Sequence, residues 1–432
     1  MIAKVKKISN YRELDYALPT EQYIDPKEVF ISLTNNRCKS FELKVKEGDQ
    51  VKLGQRLGQR DCGFFTQPII STVSGTVGKQ VTKWDGTGFE AEFITIHNDF
   101  KDTPDPLLKE RSDDIIDALS KEELIEIIKD NMIVGLGGSA FPTYIKLGTK
   151  ETIHTVVVNA VECEPYLSSD YRIIRDNPSE IVKGLLYTMR AVGANKGVLA
   201  VKKTKKTLIK ILKEEILKYQ DVELSVAALP DYYPQGWEND MFENALGVKI
   251  PPGTLPMTFG LLGINVSTAN SIYEAIKFNK PILKRYVTVN GDALNFPQNI
   301  MVRVGTSAKD LIELCDGFVE DATNINLISG GPMMGSSMPH EDYIVTPTTT
   351  SVLAFKAINT IEEPCVRCGA CIYNCPVDIQ PVQIMNAVKR GDKEALEQFQ
   401  TNKCIECGLC AYVCTSKIHV TDYIRKGKAM LR

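Results

Sequence analysis

The sequence predicts a multidomain α/β chain that ends in a small helical domain, and three observations carry that prediction. Residues 28–98 are short β-type runs broken by glycine, residues 112–250 alternate amphipathic helices with apolar strands, and eight of the 12 cysteines crowd between Cys365 and Cys414. At 432 residues the chain has room for about three domains, each with its own core, so neither metal nor disulfide is needed merely to fold.

The β-type runs are Lys44-Val-Lys-Glu-Gly48, Val51-Lys-Leu-Gly54-Gln-Arg-Leu-Gly58 and Ile69-Ile-Ser-Thr-Val-Ser-Gly75-Thr-Val. They read as a small all-β unit that resembles the barrel-sandwich hybrid of biotinyl and lipoyl domains, without a lysine in place of the swinging arm. A helix near Lys121–Lys129 then leads to Ile133-Val-Gly135-Leu-Gly137-Gly138-Ser-Ala140-Phe141-Pro142-Thr143. A buried-strand run at Thr155–Val158, a helix over Pro178–Val192, a strand at Val198–Val201 and a helix over Thr207–Tyr219 follow. Helix, glycine, apolar strand, helix is the pattern of an α/β layer. Gly135, Gly137 and Gly138, ahead of a proline able to open a helix, make either a phosphate cradle of free N–H groups or a tight turn.

A formal net charge of −3 offers no clustered basic field for nucleic acid or an anionic membrane. Lys202-Lys203 with Lys205-Lys206 reads as a solvated helix start. Met1-Ile-Ala-Lys-Val-Lys-Lys lacks the apolar core of a signal peptide, and no stretch reaches the ~20 apolar residues of a membrane span. A cytoplasmic chain with no transmembrane segment is expected.

Cys365-Val-Arg-Cys368-Gly-Ala-Cys371-Ile-Tyr-Asn-Cys375-Pro376 and Cys404-Ile-Glu-Cys407-Gly-Leu-Cys410-Ala-Tyr-Val-Cys414-Thr415 share the spacing C-x2-C-x2-C-x3-C. Two-residue spacers let three thiolates wrap one face of a [4Fe–4S] cubane, and the glycine after the second cysteine permits positive φ. The fourth cysteine is expected to begin a helix and, as in two-cluster ferredoxins, to reach the other cluster. One cluster is therefore assigned Cys365, Cys368, Cys371 and Cys414, the other Cys404, Cys407, Cys410 and Cys375. Zinc would use two separated pairs, and dense spacing without a secretion signal argues against disulfides. Between the runs, Val382, Met385 and Val388, then Gly391, then Ala395, Leu396 and Phe399 mark a helical hairpin, expected to pack this domain against its neighbour.

Six further motifs occur in order: Gly137-Gly138-Ser139-Ala140-Phe141-Pro142-Thr143 with Lys146; Asn159-Ala-Val-Glu162-Cys163-Glu164-Pro165-Tyr166 with Asp170 and Arg172; Tyr233-Pro234-Gln235-Gly236; Pro251-Pro252-Gly253-Thr-Leu-Pro256; Asn265-Val-Ser-Thr268-Ala269; and Gly330-Gly331-Pro332-Met333-Met334-Gly335. In these the chain resembles the RnfC subunit of the Rnf NAD:ferredoxin oxidoreductases over most of residues 28–425, and more distantly the flavin subunit of respiratory complex I. The resemblance implies a barrel-sandwich hybrid at 1–110, a Rossmann-like FMN/NADH-binding α/β domain at 111–280, a β-grasp domain of SLBB type at 281–355 and a ferredoxin-like domain with two [4Fe–4S] clusters at 356–432. Lys284–Glu320 fits a β-grasp, with a strand at Tyr286–Val289, a turn at Asn290-Gly291, a strand near Ile300–Val304 and a helix running to Cys315.

By the same resemblance Gly135, Gly137, Gly138 and Lys146 would hold the FMN phosphate, and Asn159, Glu162, Asn265 and Thr268 the ring and ribityl chain. Glu162, Glu164 and Glu238 would shape the nicotinamide side, with Tyr233 and Gly236 also among the cofactor-binding residues. Taken alone, each carboxylate would be a surface or capping residue. The expected activity is NADH oxidation on FMN with single electrons leaving through both clusters to a protein acceptor.

Departures from the family bear on the acceptor. No Gly-Gly-x-His-Pro segment stands near the N-terminus, Trp237 replaces a smaller residue, Ser267 replaces glycine, and no long extension follows Arg432. They favour a soluble paralogue associated with D-proline reductase over the membrane-peripheral Rnf protein. That Rnf protein, a cobalamin-reducing relative and a non-flavin electron wire stay open, as do a ferredoxin or Rnf partner and a homo-oligomer. Cys38 and Cys62 are either small core fillers or, as that paralogue group implies, redox-active; Arg37 and Lys39 make Cys38 the better thiolate. Cys163 and Cys315 are read as packing residues.

Overall fold

The computed structural model describes residues 20–251, 253–358 and 360–432; the expectation for Met1–Lys7 and Pro252 of the proline motif lie outside them. After β1 (Thr20–Tyr23) come β2 (Glu28–Ser32), β3 (Ser40–Leu43), β4 (Gln50–Val51), β5 (Arg56–Asp61), β6 (Thr66–Ile70), β7 (Gly75–Asp85) and β8 (Glu90–Asn98). Strands β2 to β8 form two facing sheets, β3-β5-β6 and one in which β7 pairs with both β8 and β4. Val29, Leu57, Ile69, Val77 and Ile96 fill the space between them. A Cβ on Gly58 would stand 2.1 Å from Glu42 O, so β3 and β5 meet only over a hydrogen.

The ladder of β3 and β5 also overturns the reading of two cysteines as separate core fillers. Ser40 pairs with Asp61, which sets Cys38 and Cys62 side by side just beyond the paired residues. Their sulfurs are bonded, with the Cα atoms 4.1 Å apart. They are neither separate core fillers nor free thiolates, and Cys38, 1% exposed, is not the accessible one.

The α/β layer begins with α1 (Asp113–Ala118), α2 (Lys121–Asp130) and α3 (Thr143–Leu147) and continues through β9 (Thr155–Ala160), α4 (Ser169–Asp176), α5 (Pro178–Val192), β10 (Lys196–Lys202), α6 (Lys206–Ile216), β11 (Glu223–Leu229), α7 (Glu238–Leu246), β12 (Leu261–Asn265) and α8 (Val266–Phe278). The strands are parallel, in the order β11-β10-β9-β12. Val156 and Val158 join the core beneath α2, α5 and α8, while Val157 points the other way to Met241 and Phe242 of α7. A strand covered on both faces needs this unbroken apolar run. Pro178 opens α5 at its first turn and Gly193, in the left-handed region, stops it, as proline and glycine do by preference. Helix α2 starts from a capping box of Ser120 and Glu123.

The third unit comprises β13 (Lys284–Asn290), β14 (Gln298–Arg303), α9 (Ala308–Leu314), β15 (Ile325–Ser329), β16 (Ser336–Met338), β17 (Tyr343–Ile344) and β18 (Ser351–Lys356). Its sheet runs β1-β14-β13-β18-β15-β16. Strand β1 thus edges the third unit, and β17 pairs with β7 of the first, so the chain interlocks its units. Gly291 does not make a two-residue turn; its φ is +127° and a Cβ would meet Ala354 O at 1.9 Å, because β18 runs against it.

The last unit holds α10 (Ala370–Tyr373), α11 (Pro381–Arg390), α12 (Lys393–Gln398), α13 (Leu409–Tyr412) and α14 (Val420–Met430). The expected hairpin forms, with Gly391 at its turn, but Ile384, Met385, Ala387 and Leu396 pack with Ile424 of α14 inside this unit, not against its neighbour. Nor does a fourth cysteine begin a helix: Gly369 and Gly408, at φ +75° and +77°, turn the chain into one-turn helices that contain Cys371 and Cys410, and Cys375 and Cys414 follow them.

Candidate functional site

The four parallel strands aim their C-terminal ends one way, the edge at which open α/β sheets bind ligands. Asn159 lies at the end of β9 and Glu162 just beyond it; Tyr233, Gly236 and Glu238 follow β11; Asn265 ends β12 and caps α8 through Ser267 N (2.9 Å). Thr268, in the first turn of α8, draws the glycine loop over this edge. Its Oγ1 accepts from Leu136 N at 2.9 Å and donates to Val134 O at 3.3 Å. A Cβ on Gly137 would touch Asn265 at 3.2 Å, whereas Gly138, at φ +103°, faces open space. Among the described residues the N–H groups of Gly137, Gly138 and Ser139 have no hydrogen-bond partner. Three consecutive donors over the start of a 13-residue helix fit a phosphate-bearing cofactor.

Below the loop lies a buried polar network. Glu162, at φ +43°, accepts from Asp170 N at 2.7 Å through Oε1 and meets Lys205 Nζ at 3.0 Å through Oε2. Asp170 accepts from Asn265 Nδ2 (3.0 Å) and Ser267 Oγ (2.9 Å). Burial, and then the neighbouring Glu162 charge, push the Asp170 carboxyl up to about 6. Asn159 Nδ2 donates to Gly236 O at 2.9 Å, Lys146 Nζ to Glu238 Oε1 at 2.9 Å and to Gly263 O at 2.6 Å, and Met333 N to Glu164 at 3.0 Å.

These contacts correct one expectation. The run Lys202 to Lys206 is not simply a solvated helix start: Lys202 and Lys205 are 1% and 6% exposed, the former 3.1 Å from Asp231, because β10 ends in the interior edge and not at the surface. Glu162 is a buried partner of Lys205, whereas Glu238, its side chain 35% exposed, is held by Lys146. Lys205, Lys202 and Asp231 were missed in the sequence; the available signal was their position at the C-terminal ends of β10 and β11.

The second cysteine run closes onto this edge. Tyr233, 2% exposed, donates from Oη to Cys407 O at 2.7 Å and packs with Cys163, Met333, Ile405 and Leu409. A Cβ on Gly408 would meet Met333 O at 2.6 Å. Cys375, Cys404, Cys407 and Cys410 line one cavity, the grouping expected from the ferredoxin pattern. Burial pushes the Cys407 and Cys410 thiols up to about 12, a cost that ligation to iron removes by stabilising the thiolate. Among the described residues no three His, Cys, Asp or Glu side chains stand at the spacing of a single ion. Cys365 and Cys368, of the first run, are exposed.

Family models match along the chain: the RnfC barrel sandwich hybrid domain at residues 5–101, the Nuo51 FMN-binding domain at 128–274, the SLBB domain at 286–337 and the 4Fe-4S dicluster domain at 357–418. The C subunit of the Na(+)-translocating ferredoxin:NAD(+) oxidoreductase complex of Acetobacterium woodii is 35% identical over 351 residues, 80% of this chain and 78% of that one. The chain belongs to the RnfC family. Its counterpart in the proton-translocating ferredoxin:NAD(+) oxidoreductase complex of Clostridium ljungdahlii is 32% identical across 93% of this chain and 87% of its own. The NAD+-reducing [NiFe]-hydrogenase in its H2-reduced state shares the fold, with a TM-score of 0.51 at 16% identity over 76% of this chain and 67% of that one.

As an RnfC relative, the protein is an oxidoreductase-family electron carrier containing FMN and iron–sulfur clusters. Among the described residues no helix is long and apolar enough to cross a membrane.

Proposed function

We propose that the chain works as the peripheral RnfC component of an Rnf-type complex, exchanging electrons between NAD(H) at the C-terminal edge of its parallel sheet and a ferredoxin-type or Rnf protein at the first cysteine run. FMN at this edge supplies the conversion between two-electron hydride exchange and one-electron transfer. The free N–H groups of Gly137, Gly138 and Ser139 and the first turn of α8 would hold its phosphate, and Asn159 and Asn265 its ring and ribityl chain. Gly135, whose N–H donates to Phe141 O at 2.9 Å, and Thr268, 1% exposed and bonded to Leu136 and Val134, shape the loop and do not touch the ligand. Lys146 holds Glu238 and Lys205 holds Glu162, the carboxylates that would shape the nicotinamide side.

The observation that carries this reading is the Tyr233–Cys407 hydrogen bond. It fixes the second cysteine loop against segments 161–166 and 233–238, which line the cofactor edge. The first run lies outside, and Ile358, Ile361, Val366 and Tyr373, in and around the same stretch, are 61–80% exposed, an apolar face suited to a protein partner. The departures that favoured a D-proline reductase partner find no support among the relatives, which are components of Rnf-type complexes at 31–35% identity; the cobalamin-reducing reading has none either.

Anaerobic NADH titration of Cys365→Ala and Cys404→Ala tests it. Each variant should lose about half the iron and sulfide. Cys365→Ala should still be reduced by NADH but fail to reduce a ferredoxin, while the cluster left in Cys404→Ala should stay oxidised. The opposite pattern, or a wild type that retains no flavin, would refute the proposal.

A further inference from the structure

A cavity lies where the β-sandwich, the glycine loop and the third unit meet. It offers about 100 Å³ to the centres of water-sized molecules, several times the ~10–15 Å³ that one buried water needs by that measure. Phe30, Phe65, Phe93, Val134, Ile282 and Val345 are among the residues that line it.

Into this apolar lining β5 places Arg60, 7% exposed. Its Nη2 donates to Ser32 O. Its Nε has no hydrogen-bond partner, and among the described residues no carboxylate pairs with it. A buried guanidinium without a counter-charge costs several kcal/mol, and burial lowers its pKa to about 10. Asp85, also in the wall, does not compensate. Its Oδ1 accepts from Thr87 N (2.8 Å), Thr87 Oγ1 (2.7 Å) and Phe89 N (3.2 Å) within its own turn.

We propose that this cavity binds a small organic carboxylate with an aromatic or branched apolar body, its carboxylate held by Arg60. A planar guanidinium with N–H groups to spare suits two-point recognition of a carboxylate, and phenyl walls suit an apolar body. At the rim, Arg37 donates to Ser139 O at 3.0 Å and lies 6.0 Å from the centre of the Phe141 ring. Arg37 thus ties the sandwich to the glycine loop beside the cavity.

Phenylacetate and phenylacetamide, alike in shape and different in charge, can be titrated calorimetrically into the full chain with its clusters in place. Phenylacetate should bind about tenfold or more tighter than the amide, the effect of one charged hydrogen-bonded contact. Arg60→Met should erase that preference. Thr348→Trp, which fills the partly exposed wall and leaves Arg60 intact, should weaken both ligands. Equal binding of acid and amide, a preference that survives Arg60→Met, or no binding to wild type overturns the proposal. Displacement of phenylacetate by an equal concentration of inorganic phosphate overturns the assignment to an organic ligand. Should Arg60→Met fail to fold, Thr348→Trp decides: unchanged affinity for phenylacetate overturns the site.

Discussion

Replacing Lys205 with methionine removes the cation from a pair that water scarcely reaches. The Lys205 and Glu162 side chains are 2% and 4% exposed with 3.0 Å between Nζ and Oε2. Methionine keeps most of the lysine volume, so the loss is of charge and not of packing. Glu162 would retain the Asp170 N–H but no counter-ion, a situation that costs about 3–5 kcal/mol. For a unit the size of this α/β layer, that is a fall of roughly 6–20 °C in its melting transition. Differential scanning calorimetry at pH 7 on protein with its clusters in place would measure it. Because the double variant Lys205→Met/Glu162→Gln removes both charges of the pair, it should recover at least half of the loss, which separates broken pairing from a damaged core. A Lys205→Met protein that melts within about 2 °C of wild type would refute the reasoning.

Lys146→Ala removes the charged hydrogen bond that holds Glu238 at the cofactor edge and should weaken flavin binding by at most roughly 1.5–3 kcal/mol, the scale of one such bond, seen as a raised Kd in fluorescence titration of the flavin-depleted protein; an unchanged Kd would show that flavin binding does not depend on this contact. Gly184→Ala should destabilise by about 1–3 kcal/mol, since a Cβ on α5 would lie 1.9 Å from Ala269 O of α8, and urea midpoints would show it. Asp170, raised from 3.8 to about 6, contributes stability that is fully present below its unfolded pKa and is lost as pH rises through about 6. Between pH 5.5 and 7.5 wild type should therefore lose stability relative to Asp170→Asn, and parallel denaturation midpoints would disprove the shift. Native protein should take up no alkylating reagent at Cys38 or Cys62 until a reductant is added, as mass spectrometry of the tryptic peptides would report; labelling without reductant would contradict the disulfide.

Elements whose residues specify them locally were legible in the sequence. Pro178 and Gly193 bracket α5, the valine run of β9 needs both faces covered, and each cysteine run carries its four thiols within about a dozen residues. What was not legible depends on partners distant in the chain. Cys38 and Cys62 are 24 residues apart, and only the β3–β5 register brings them together. Lys202 and Lys205 look like any exposed basic cluster until β10 is known to end inside the molecule beside Asp231 and Glu162. The same holds for β1, four residues with no buried position, which could edge any sheet; its partner in β14, Asn299 opposite Thr20, lies far along the chain.

The two cysteine runs show the limit most directly, since they share one spacing and one glycine position and yet occupy unlike surroundings. Gly408 must lack a side chain because Met333 O would stand 2.6 Å from its Cβ, a contact across units; for Gly369 the nearest atom is on the ring of Tyr373 at 2.9 Å, four residues away. One glycine is required by the body of the molecule and the other only by its own turn. Thiolates in the first surroundings lie in a packed, dry setting, and those in the second lie near water, and exposure and hydrogen bonding to sulfur are what tune a cluster of given type. Two runs alike in sequence thus acquire different surroundings from Tyr233, Cys163 and Met333, none of which belongs to the ferredoxin pattern.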